Sequence, residues 1–172
     1  MSLGADASPA ERVRGLAPRI ARWVRDHGEG GATTRGERAM LRRLNAASVP
    51  PSTYWRIADR FELAQHEDSF WLSLVPMMVD HPHGALSPGA ALAGSGVSGV
   101  RLERWLRLDK LRAQREARRL FGRCEQALDW ARLALLLWEW SEAERRRVAR
   151  DFFLSPEQRG ARGEVAGSKE DR

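Results

Sequence analysis

The sequence predicts an all-α protein. Apolar residues recur at helical spacing between recognisable helix starts and stops, and no stretch shows sustained strand alternation. The joints between helices in the C-terminal half are short, which indicates antiparallel packing in a bundle. A chain of 172 residues suits one compact unit or two small subdomains that share an interface.

The N-terminal half is predicted to contain four helices, over residues 9–26, 35–44, 52–63 and 68–79. Their expected N-caps are Ser8, either Thr33 or Thr34, and Ser52. Gly15 and Pro18 predict a kink or a late start in the first helix. The fourth helix is apolar nearly all round, which predicts a position in the core, and Pro76 is expected to bend it.

The C-terminal half follows one long irregular region, residues 80–99, which indicates a subdomain linker or a functional loop. A short helix around 87–93 is expected inside this region. Four more helices are predicted over 100–108, 110–123, 130–140 and 142–154, the last three capped by Asp109, Asp129 and Ser141. The predicted organisation is an N-terminal helical bundle (8–80), a linker or loop (81–99), a C-terminal helical bundle (100–155) and a disordered tail (156–172).

The balance of charge favours a polyanionic partner, with a solvated basic surface as the alternative. There are 29 lysines and arginines against 23 acids, a net charge of +6, and nearly all the cations are arginine. Arginines cluster on the predicted helices in four sets, with members three or four residues apart in the first three: Arg35, Arg38, Arg42 and Arg43; Arg101, Arg104 and Arg107; Arg112, Arg115, Arg118 and Arg119; Arg145, Arg146, Arg147 and Arg150. Cations on one helix face suit contacts to phosphates, although the last set is equally consistent with a solvated face.

Catalysis, a metal site and a cofactor are not predicted. Asp80, His81 and His83 supply too few ligands for a metal, and no nucleophile or phosphate-loop motif is present. Cys124 is the single cysteine, so no intrachain disulfide can form, which fits a reducing cytoplasm. No signal peptide or membrane span is predicted. The 7 tryptophans lie mostly on apolar faces, so core or subunit contacts are favoured over base stacking.

The C-terminal half contains several short motifs in order. They are the loop from Ser87 to Gly96, then Arg107-Leu108-Asp109, Arg118-Arg119-Leu120, Leu128-Asp129-Trp130, Trp138 to Trp140, and Asp151-Phe152-Phe153-Leu154. Upstream, Arg42-Arg43-Leu44 and Trp55-Arg56 extend the series. From about Gly84 to Leu154 this order resembles the CasB family, the small subunit of the type I-E CRISPR Cascade complex.

The resemblance implies a fold of two small helical bundles and a non-catalytic role in antiviral defence. It implies two copies of the chain within the complex, in contact with the large subunit and with the backbone subunits that coat the CRISPR RNA (crRNA). It also implies contacts to the crRNA and to the target and non-target DNA strands of an R-loop. By position, the residues expected to contact the sugar-phosphate backbone are Arg42, Arg43, Arg56, Arg101, Arg107 and Arg119.

Two alternatives remain open from the sequence. A free-standing helical DNA-binding regulator of the helix-turn-helix type is compatible with two adjacent basic helices, although no short turn between a support and a recognition helix is evident. A small helical enzyme would have to use Asp80, His81 and His83.

Overall fold

The all-α class is confirmed by a computed structural model, which describes residues 7–25, 33–45, 47 and 49–158. Within these ranges the α-helices are α1 (Pro9–Arg25), α2 (Arg35–Arg42), α3 (Ser52–Arg60), α4 (Asp68–Asp80), α5 (Pro88–Gly94), α6 (Gly99–Leu106), α7 (Lys110–Phe121), α8 (Trp130–Glu139) and α9 (Glu142–Phe153). A short 3₁₀ helix, Gln65–Glu67, precedes α4, and a short strand, β1 (His83–Leu86), follows it. Most of the predicted disordered tail, residues 159–172, lies outside the described residues.

Side-chain caps account for most of the helix starts. Hydroxyl or carboxylate caps stand at Ser8, Thr34, Ser87, Ser98, Asp109, Asp129 and Ser141, each accepting a hydrogen bond from a backbone N–H of the first helical turn. Thr33 is not a cap, because its hydroxyl donates to the Val24 carbonyl at 2.6 Å. The prediction of a cap at Ser52 was wrong: the extended Pro51 occupies the N-cap position and its carbonyl accepts from the Tyr54 N–H at 2.9 Å.

Helix α1 begins at Pro9 and runs through Pro18, so it has no late start, and the alternative of a kink at Gly15 and Pro18 stays a prediction. Its buried face, which includes Val13, Ile20 and Val24, supplies enough apolar contact to hold the helix past the proline. The core position of α4 is confirmed, since nearly every residue from Phe70 to Val79 is buried.

The core is one continuous cluster of buried apolar side chains drawn from both halves of the chain. α4 packs against α1, α2 and α7, while α1 packs most extensively on α8 and α5 packs most extensively on α9. Contacts therefore cross the linker proposed at residues 81–99. The division of the chain into two bundles stays a prediction.

The segment after α4 is more ordered than the sequence predicts, because it pairs with the turn before α8. The Leu128 N–H donates to the Pro82 carbonyl and the Asp129 N–H to the Leu86 carbonyl, both at 2.9 Å. Leu128 thereby forms parallel bridges with β1. The indole of Trp130 adds a third bond, donating to the His81 carbonyl at 3.0 Å.

Gly89 allows the close approach of α5 to α9. A Cβ at this position would lie 2.3 Å from the Val148 carbonyl oxygen and 2.8 Å from the Phe152 nitrogen, which are backbone atoms that cannot rotate away. The absence of a side chain at Gly89 is therefore a packing requirement.

The substitution Gly89→Ala is predicted to push α5 away from α9 and to lower the free energy of unfolding by about 1–3 kcal/mol. Urea denaturation of the purified chain measures this change. Gly36→Ala is the matched control, because the nearest atom to a Cβ there is 4.0 Å away and the helix gains up to about 1 kcal/mol from alanine. Equal stability of the two variants would contradict the packing argument.

Candidate nucleic-acid interface

Helices α6 and α7 form a helical hairpin that is held together by one tryptophan. The joint between them, residues 107–109, is only three residues long. Trp105 is 3% exposed, and its indole N–H donates to the Ala113 carbonyl at 3.0 Å across the hairpin. Its ring also packs edge-on against Trp140, with ring centroids 4.9 Å apart. The hydrogen bond ties α6 directly to α7, and the ring contact anchors the hairpin against the end of α8.

A groove of about 520 Å³ opens between these helices, and its rim is mostly arginine. The groove is lined by Arg101, Arg104, Trp105, Leu108, Arg112, Arg115, Glu116, Arg119 and Leu120. The tryptophan and the leucines form an apolar floor, and the guanidinium groups around it are exposed to solvent. We call this surface the hairpin groove. Its lining contains five arginines and one carboxylate, that of Glu116, so positive charge is in excess.

Some of these arginines form local ion pairs, but the pairs are solvent-exposed. Arg119 lies 3.0 Å from Glu116, and Arg112 lies 3.3 Å from Asp109. Both arginine side chains are more than two-thirds exposed, at 78% and 74%. Exposed pairs of this kind are worth roughly 0–1 kcal/mol, so a phosphate can compete for either guanidinium at little cost.

Hydrogen bonds from two arginines link α6 to α7 and α7 to α2. The Arg101 guanidinium donates to the Arg119 carbonyl at 3.2 Å, and the Arg118 guanidinium donates to the Arg42 carbonyl at 2.5 Å. Three of the arginines predicted from the sequence, Arg42, Arg101 and Arg119, therefore lie along connected elements. Arg42 itself is engaged by Asp80, with Nε 2.6 Å from the carboxylate.

The other three predicted residues, like Arg42, do not belong to the groove lining. Arg43 is exposed at the C-cap of α2. Arg107 is 82% exposed at the C-cap of α6 and lies 3.9 Å from Glu103. Arg56 belongs to a different surface, where it pairs with Glu37 at 2.5 Å.

Three further arginines line the groove but were not among the residues predicted to contact the sugar-phosphate backbone: Arg104, Arg112 and Arg115. Their helical spacing was visible in the sequence, because Arg104 follows Arg101 by one turn and Arg115 follows Arg112 by one turn. The spacing alone does not show that the two sets face each other. That fact depends on the hairpin and on the contacts of Trp105.

The residues considered for catalysis have structural roles. His81 is buried, and burial lowers its pKa below the usual range, against a smaller opposing effect of Asp80. His83 accepts a hydrogen bond from the Trp130 N–H at its Nδ1 atom, at 3.4 Å. Burial also raises the pKa of the Cys124 thiol, which disfavours the reactive thiolate. In the described part of the chain, no group of three or more His, Cys, Asp or Glu side chains could hold a metal ion.

The described helices include none that combines the length and the apolar character needed to cross a membrane.

The site so far defines a helical protein with an arginine-rimmed groove between two neighbouring helices. A stretch of 71 residues is 35% identical to the CRISPR system Cascade subunit CasB of Escherichia coli (strain K12). The match covers 41% of this chain and 44% of that subunit, so the chain spans less than half the length of the curated relative it matches.

The chain matches no protein-family model, and no solved structure matches it. The partial identity supports a CasB-like relationship over the matched stretch, in agreement with the resemblance in the sequence motifs.

The buried, neutral His81 predicts that stability falls in mild acid. The pKa of His81 is lowered in the folded state, so the unfolded chain binds a proton before the folded chain does as the pH drops below about 6.5. The stability that is present above this pH is therefore lost as the pH falls through the lowered pKa of folded His81. Urea midpoints measured between about pH 7.5 and 5.5 should decrease, and the decrease should be smaller in His81→Asn. The exposed His66→Asn is the control and should keep the wild-type dependence; equal slopes in all three proteins would refute the assignment.

Proposed function

We propose that this protein is a non-catalytic nucleic-acid-binding subunit of a type I-E CRISPR Cascade surveillance complex. In this role it stabilises crRNA-guided R-loops in antiviral defence through contacts to the sugar-phosphate backbone that are independent of sequence. The hairpin groove carries the proposal, because five arginines surround an apolar floor with one lining carboxylate. The partial identity to a Cascade subunit supports the assignment to this complex.

Phosphate binding is the chemistry that fits this groove. Guanidinium groups bind phosphate oxygens in a planar, bidentate geometry, and binding releases counterions from the nucleic acid. Phosphates are the same in every sequence, so such contacts position a strand without reading its bases. An R-loop exchanges one duplex for another at nearly equal free energy, so modest backbone contacts are enough to shift the balance.

The proposed partners are the large subunit, the backbone subunits that coat the crRNA, and a second copy of this chain. Exposed apolar side chains outside the groove are available for these protein contacts. They include Met40, Val49, Trp55 and Val100. The proposed compartment is the cytoplasm, where the buried Cys124 stays reduced.

The free-standing DNA-binding regulator remains the second candidate, because α6 and α7 are joined by three residues. A turn of this length is compatible with a helix-turn-helix arrangement, although no such short turn was evident from the sequence. A nuclease footprint on random genomic fragments separates the two functions. Protection of one sequence favours the regulator, whereas uniform and weak protection favours the sequence-independent subunit.

Reversing two groove charges is predicted to weaken nucleic-acid binding. The double variant Arg101→Glu and Arg119→Glu should raise the dissociation constant for an arbitrary oligonucleotide roughly tenfold or more, because phosphates would face carboxylates. Fluorescence anisotropy with a labelled strand measures the constant. Both side chains are exposed, so circular dichroism should show an unchanged fold.

The matched control is Arg146→Glu with Arg150→Glu on α9, which changes net charge equally outside the groove. It should weaken binding much less. If the two double variants bind alike, net charge rather than the groove governs binding, and the site assignment is wrong.

Assembly with Cascade proteins tests the second half of the proposal. Co-expressed with the partner subunits and crRNA, the chain should co-purify, and the groove variant should also co-purify because its exposed apolar surfaces are intact. R-loops formed by the variant complex should dissociate faster in a filter-binding assay. Failure of the wild-type chain to join the complex would contradict the assignment to Cascade.

A further inference from the structure

A second basic surface lies where α1 meets the end of α3, away from the groove lining. Trp23 of α1 and Phe61, the C-cap of α3, pack edge-to-face with ring centroids 6.2 Å apart and an interplanar angle of 86°. Phe61 is buried, whereas Trp23 is only partly buried. Part of the indole surface therefore remains accessible to a ligand.

Arginines converge on this aromatic pair from both helices. The Arg56 and Arg60 guanidinium carbons lie 5.7 and 5.9 Å from the centroid of the Trp23 ring. The Arg19 guanidinium carbon lies 5.5 Å from the Phe61 centroid. A pocket of about 540 Å³ forms here, lined by Arg19, Arg22, Trp23, Arg60 and Phe61. We call it the Trp23 pocket.

The charge in the Trp23 pocket exceeds what packing requires. One guanidinium over an indole gives a cation–π contact, but several cations around the same ring repel one another. The pocket lining contains three arginines and no carboxylate, while Glu37 pairs with the neighbouring Arg56. An anionic ligand with a flat aromatic group would relieve the repulsion and cover the indole.

We propose that the Trp23 pocket binds one unpaired nucleobase and its flanking phosphates, which makes it a subsite specific for single-stranded nucleic acid. The inference rests on the proposed function, since it names the form of nucleic acid that this surface takes. A base can stack on the indole or on a guanidinium plane, and stacking tolerates any base sequence. In a duplex the base faces are already stacked, so a duplex can offer this pocket only its phosphates.

The first test compares three probes of equal length, about 15 nucleotides: an oligothymidine strand, an abasic strand with the same phosphates, and a duplex. Wild-type protein should bind the oligothymidine most tightly. Trp23→Ala should weaken oligothymidine binding roughly 5- to 100-fold and leave abasic and duplex binding unchanged. Trp55→Ala is the matched control, because Trp55 is 49% exposed on α3 and is absent from the pocket lining.

The second test uses the wild-type chain, so it does not depend on how Trp23→Ala folds. Ultraviolet cross-linking of a 5-iodouracil strand, followed by peptide mass spectrometry, should identify the peptide that contains Trp23. Cross-links confined to the peptides of α6 and α7 would overturn the subsite.

The outcomes distinguish the subsite from the proposed function. If the groove variant loses binding but wild-type protein binds abasic and oligothymidine strands equally, the proposed function stands and the Trp23 subsite is wrong. If the wild-type chain binds none of the three probes, both proposals fail. A purified acidic peptide that competes for the Trp23 pocket better than oligothymidine would assign the surface to a protein partner and overturn the subsite.

Discussion

The contact of Trp105 with α7 is the interaction on which the candidate site depends. Arginines spaced one turn apart line one face of a helix, but a groove requires two such faces at a fixed separation. The indole hydrogen bond to the Ala113 carbonyl and the edge-on packing with Phe121 tie Trp105 of α6 directly to α7. Since Trp105 is almost fully buried, the floor of the groove is part of the hydrophobic core, and the arginines above it are held by the same packing that stabilises the fold.

The electrostatics of the groove follow from this geometry. Glu116 in the groove lining and Asp109 at the start of α7 each form an exposed pair with an arginine three residues along the chain, and such pairs cost little to separate. The cationic excess therefore remains available to a polyanion, while burial favours the neutral forms of His81 and Cys124.

Local sequence signals predicted most of the helices, because caps such as Asp109 and Asp129 act within a single turn. The prediction of an N-cap at Ser52 was wrong because Pro51 already holds the extended conformation that an N-cap needs. The strand β1 was missed because its pairing with Leu128 joins residues far apart in the chain. The same limit applies to the site. Arg104 was recognised on a basic face, but the groove that it shares with Arg115, like the grouping of Arg19 and Arg60 around Trp23, depends on tertiary packing that spacing does not encode.

The central claim is that the hairpin groove neutralises backbone phosphates, and the salt dependence of binding tests it most directly. We expect the logarithm of the association constant for duplex DNA to fall linearly with the logarithm of salt concentration. The slope should be roughly −3 if the groove contacts about three phosphates. Neutralising two groove arginines, with Arg104→Gln and Arg115→Gln, should make the slope shallower by about 2. A slope near zero in the wild-type chain, or one that these substitutions leave unchanged, would contradict the account.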